Sequence, residues 1–251
     1  MSCRKLPNYP DFLEREKIRE ILIKMEPKIV ESGHLNKDEG IIERIKIDKL
    51  ILDKYGLIKM DIYNNHYNMA NTFRYLGTNR TKTELHQPKF NNLLPEKFGD
   101  HWSMWVYGTY DIELNGGKYR VSMMTWGGAE QCPIEKLFTD EYKGYERGDR
   151  DWFIENLETK ELLWVPDLLP YQVGMWGFFQ SPSSPYRLDP KKYIKFFNLD
   201  KMKGKVKMID IDKDAKMVEL GDKRVERITS LFGANEIEDQ KSDNIMKCLL
   251  Q

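Results

Sequence analysis

The sequence predicts an α+β fold: an antiparallel sheet built on β-hairpins, with helices at both chain ends and long aromatic-rich loops. Three observations carry this expectation. Apolar residues recur at helical spacing between residues 11 and 55. Two alternating runs meet at Asn115-Gly116, a dipeptide suited to the positive φ angles of a tight type I′ turn. Elsewhere Pro, Asn and Gly interrupt every periodic pattern.

In the first segment Asp11 and Glu14 have capping-box spacing, and Ile18, Ile21, Leu22 and Met25 follow at helical intervals. Pro27 is expected to interrupt this helix and Gly33 to end it. Asn36 and Glu39 repeat the cap signal. Ile41, Ile42, Ile45, Leu52 and Tyr55 mark a second helix, with Gly56 as its stop. Ile58, Met60 and Ile62 then alternate with Lys59 and Asp61, the period of a half-buried strand. Residues 63–100 are rich in Asn and Tyr and read as a long loop, with at most a short helix near Met69 to Leu76. A loop of that length in a compact domain is usually functional or packed on a partner.

The hairpin is the strongest local expectation. Met104, Val106, Tyr110, Ile112 and Leu114 share one face, continued by Tyr119, Val121 and Met123. A two-residue turn sets Glu113 opposite Lys118 and Asp111 opposite Arg120, so charge favours this register. Strict alternation places Trp105, Tyr107 and Trp126 on the other, polar face, where a second layer or a partner must cover them. Beyond Gly127-Gly128, Cys132-Pro133 reads as a helix start. A charged stretch from Asp140 to Asp151 reads as a solvated loop. Glu161 to Val165 and Val173 to Phe179 read as strands, and Ser181 to Pro185 as a stiff connector. A short helix is expected over Lys191 to Leu199, a second hairpin over Val206 to Leu220, and helices over Lys223 to Phe232 and Asp243 to Leu250. The implied division is a helical region 1–62, a linker 63–100, a β-rich core 101–221 and C-terminal helices 222–251. One continuous domain from 101 to 251 is the alternative.

Composition bounds the function. The 251 residues carry 40 basic and 40 acidic side chains, so the net charge is zero and the simplest electrostatic case for nucleic-acid binding is absent. The 6 Trp, 13 Tyr and 11 Phe supply enough apolar area to exclude a disordered chain. No apolar run approaches a membrane span. Cys3, Cys132 and Cys248 form no disulfide framework, and the N-terminus has no signal-peptide or transit-peptide character. An intracellular, by default cytoplasmic, location is therefore expected, with an organelle lumen or matrix as the alternative.

The sharpest catalytic constellation is Cys132, at an expected helix N-terminus that favours thiolate, with His101 as base and Asp100 to orient it. The competing view is a small buried cysteine at a helix cap. The four histidines lack metal-ligand spacing, the tract Asp210 to Asp214 lacks the glycine and glutamate of a calcium loop, and no phosphate-binding glycine loop occurs. No metal or cofactor is expected. Arg74, Arg80, Lys82, Lys89 and Lys97 interleave with Tyr63, Tyr67, Phe73, Tyr75 and Phe90, a pattern open to single-stranded nucleic acid, although the local basic surplus is small. Five of the six tryptophans fall between residues 100 and 165 and Trp176 follows, and such residues are enriched in protein interfaces. The leading expectation is a non-enzymatic accessory subunit of a protein assembly, docking through Trp105, Tyr107, Trp126 and Trp176 and the long loops. A cysteine-dependent hydrolase or transferase and a single-strand binder are the alternatives.

Overall fold

A computed structural model describes residues 16–75, 105–132, 134, 147–202 and 206–207. Within them the chain forms helices α1 (Glu16–Glu31), α2 (Ile41–Lys54) and α3 (Lys59–Tyr75), then strands β1 (Trp105–Leu114), β2 (Gly117–Gln131), β3 (Arg147–Asn156) and β4 (Leu162–Pro166). Helices α4 (Leu168–Trp176) and α5 (Pro190–Phe196) and a 3-10 turn at Leu199–Lys201 follow. The strands make one antiparallel meander in the order β1-β2-β3-β4. The α+β class with an antiparallel sheet is the one expected.

The β1–β2 hairpin forms as its sequence dictates. Asn115 and Gly116 take φ of 50° and 75°, and Glu113 pairs with Lys118 and Asp111 with Arg120. The Arg120 guanidinium donates to both Asp111 oxygens, at 2.8 and 3.0 Å. Asp189 caps α5 by accepting from the Lys192 amide, with Pro190 at the first helical position.

Five local expectations are corrected. Pro27 does not interrupt α1, which runs unbroken to Glu31. Pro27 and Ile23, whose carbonyl loses its partner, are both solvent-exposed, so water can satisfy the freed acceptor. Residues 59–62 open α3 instead of continuing a strand from Ile58, because Asp61 reaches back to the Ile58 amide at 2.8 Å, as in a capping box. The same helix runs through 63–75, where a loop with a shorter helix was expected, while residues 76–100 lie outside the described part. Residues 173–176 are helical, not a strand: Pro170 falls in the first turn of α4, where its missing N–H costs nothing, and Gly177 closes the helix at φ 69°. Finally, the charged stretch ends in β3, whose Trp152, Phe153 and Ile154 are all buried. Apart from Ile134, Val206 and Lys207, the expected C-terminal hairpin and helices and the helix expected after Cys132 lie outside the described residues.

Two apolar clusters organise the packing. The first joins one sheet face (Ile112, Tyr119, Val121, Trp152, Ile154 and Val165) to α3, α4, α5 and Val206. The second joins α1 and α2 to Cys132, Ile134, Leu168, Tyr171, Trp176 and Phe178. Helix α4 feeds both: Leu169 and Val173 enter the first cluster and Leu168, Tyr171 and Trp176 the second. A helix apolar all round belongs in such a position.

Candidate functional site

Three constellations remain once the cores are assigned. The first holds α2 in place. Asp48, fully buried, takes two guanidinia. Arg44 donates to its two oxygens at 2.9 and 3.1 Å, and Arg187 at 2.8 and 3.2 Å. Arg44 also reaches Glu39 at 3.3 Å, and the second Glu39 oxygen accepts from Ser181. Arg187 donates to the Gln180 carbonyl as well. Gln180, non-glycine at φ 68°, is held by its own side chain, which donates to Gln172 at 2.9 Å and accepts from Ser184 at 2.7 Å. A serine on a carboxylate has the outline of a nucleophile and base. Here Ser181 is buried and Glu39 is engaged at both oxygens, so the array works as a latch between α2 and residues 180–187.

The second is an amide row on α3. Asp61 accepts from the Val206 amide at 2.8 Å, and Asn64 and Asn68 donate to the carbonyls of Val206 and Lys207 at 2.8 and 2.9 Å. Asn65 donates to the Tyr193 hydroxyl at 3.0 Å and accepts from Asn115 at 2.6 Å. Burial raises both phenols here. Tyr119 is pushed up to about 12, by burial first and by the charge of Glu158 second, against a lowering bond from Asn198. Tyr193 is pushed up by burial, against the bond from Asn65.

The third is the outer face of α2. Its inner face buries Ile41, Ile42, Arg44, Ile45, Asp48 and Leu52. Leu50 is 68% exposed and Ile47 47%, and the two lie one turn apart on the opposite side. The latch explains why they stay outside: rotating α2 to bury Leu50 would pull Asp48 away from both arginines.

The residues singled out in the sequence are dispersed differently. Cys132 is 1% exposed inside the second cluster. Its expected partners His101 and Asp100 lie outside the described residues, as do Arg80, Lys82, Lys89, Phe90 and Lys97. Of the aromatic residues in the single-strand pattern, Tyr63 and Phe73 are core. Trp176 is 5% exposed and packs among α1, α2 and Phe178, so a partner could reach it only by displacing that cluster. The side chains of Trp105, Tyr107 and Trp126 lie outside the described part, but the backbone shows why alternation fails to place them. A register shift separates Val106 from Gly108, and Trp105 pairs with Thr125. Trp126 falls inside a second shift, between Thr125 and Glu130. Each shift breaks the period-two rule on which an outward position depends. Ile47 and Leu50 were open to detection in the sequence, since they stand off the stripe formed by Ile41, Ile45 and Leu52.

Among the described residues no group of three metal-ligating side chains comes together, and no helix is long and apolar enough to cross a membrane. Comparison of the chain with protein-family models, with curated proteins and with solved structures gives no match.

Proposed function

We propose that this chain is a non-enzymatic interaction subunit of a protein assembly, and that the outer side of its N-terminal helices is a docking surface. One observation supports this most. Of the five large apolar side chains exposed among the described residues, Ile23, Ile47, Leu50 and Ile58 fall between residues 23 and 58, and Ile47 and Leu50 are neighbours on one helix face. Single exposed apolar residues are ordinary; these two are neighbours, on a face that a buried ionic latch holds outward. The hairpin residues Trp105, Tyr107 and Trp126 belong to the proposal as a second contact region, on the strength of their residue types alone.

The test places a photo-crosslinking residue at position 50 and, in a control, at exposed Lys191. In native extract the probe at 50 is expected to yield discrete protein adducts that the probe at 191 does not. Identical diffuse labelling from both positions would contradict the proposal.

A further inference from the structure

We infer that the outer face of α2 pairs antiparallel with α2 of a second copy of this chain about a two-fold axis; this rests on the interaction reading above and names its partner. Glu43, Ile47, Leu50 and Lys54 follow one another at intervals of four, three and four residues, which draws one straight stripe along a helix. All four are exposed. They lie opposite the buried set that contains Ile45, Asp48 and Leu52. The stripe has apolar residues in the middle, an acid at its N-terminal end and a base at its C-terminal end.

That order is self-complementary in one orientation only. With the axis between residues 48 and 49, Ile47 meets the partner's Leu50, and Leu50 meets the partner's Ile47. Glu43 then meets the partner's Lys54 at one end and the reciprocal pair forms at the other. On one flank Lys46 faces the partner's Asp53. A parallel pair would instead set Glu43 against Glu43 and Lys54 against Lys54. An isologous contact of this kind closes on itself as a dimer. Within the single chain Glu43 pairs with Lys46 at 2.9 Å and Asp53 with Lys49 at 2.7 Å. Both pairs are exposed and so hold their side chains weakly, which leaves the charges free to re-pair. Helix α2 has 14 residues and is about 21 Å long. The contact is therefore small, and a dissociation constant on the order of 10–100 µM is expected.

The test is sedimentation equilibrium of the full chain over a wide concentration range, with Glu43→Lys, Lys54→Glu, the double variant and Leu50→Lys. Thermal melting is recorded for each, since both charge reversals also oppose the helix dipole. A reversible monomer–dimer equilibrium is expected. Each single reversal should weaken it by about tenfold, because it creates two like-charge contacts per dimer, and the double variant should restore it. Leu50→Lys should abolish it with no loss of melting temperature. A chain that stays monomeric throughout, or a double variant as weak as the singles or weaker, overturns the inference. If the chain is monomeric and the probe at position 50 still captures a different protein, self-pairing fails and the interaction reading stands. If neither association occurs, both fail.

Discussion

Asp48 is the residue on which the placement of α2 turns. Two guanidinia surround a carboxylate that has no access to water. Asp48→Asn leaves both cations without their shared counter-charge and should cost about 3–5 kcal/mol, read from urea unfolding; a loss below about 1 kcal/mol would show that the latch is dispensable. Gly117 is fixed by close approach: a Cβ there would sit 2.5 Å from the Tyr119 hydroxyl oxygen and 2.8 Å from its ring. That hydroxyl donates to the Phe196 carbonyl at 3.0 Å, so the ring cannot yield freely. Gly117→Ala should therefore destabilise by about 1–3 kcal/mol in the same assay, and a neutral result would count against this packing. The raised phenols set the alkaline limit. The unfolded chain loses phenolic protons near pH 10, the folded one only at higher pH. Between these values the unfolded state binds fewer protons, so their contribution to stability is complete below pH 10 and is lost as pH rises toward 12. Urea midpoints measured upward from pH 8 should fall in this window, and fall less in a Tyr119→Phe/Tyr193→Phe variant. An equal fall in both proteins would assign it to other groups.

At the scale of elements, legibility followed the range of the determining contacts. From the turn back to Gly108 the β1–β2 hairpin was legible down to its register, because a two-residue turn and two cross-strand charge pairs are local information. Helix α5, expected over Lys191 to Leu199, is likewise fixed by local chemistry, the Asp189 cap and Pro190 at its start. Helix α3 was not. Asn64, Asn65, Asn68 and Asn71 are poor helix formers, and the bonds that reward most of them run to residues 115, 193, 206 and 207. Helix α4 was misread because a short apolar run fits a buried strand and a buried helix alike. Strand β3 was hidden by Asp149-Arg150-Asp151 at its start. Asp61 joins two of these facts, since it caps α3 and anchors the Val206 amide. Asp61→Ala should lower stability by about 2 kcal/mol and raise amide exchange at both ends of that contact. Protection lost at α3 alone would contradict the anchoring role of Asp61.

For the whole molecule, the two clusters separate what holds the chain together from what it leaves on its surface. Cys132 belongs to the first category. It should resist iodoacetamide in the native protein and react on unfolding, whereas rapid native labelling would revive a nucleophilic role. Of the tryptophans expected to mark the docking face, Trp176 is core, as Trp152 and Trp164 are, and the register shifts in β1 and β2 remove the alternation that assigns Trp105 and Trp126 outward. Only Gly108 and Gly127-Gly128 hint at those shifts in the sequence. The surface that instead carries the proposed function is the outer side of α2. Its most direct test is the Ile47→Glu/Leu50→Glu variant, compared with the unaltered chain for melting temperature and for elution size of the purified protein loaded well above the expected dissociation constant. The predicted result is an unchanged melting temperature with the chain shifted from a larger species to its own 29.8 kDa. An unchanged elution size beside a sharp loss of stability would show that these side chains serve the fold and not a partner.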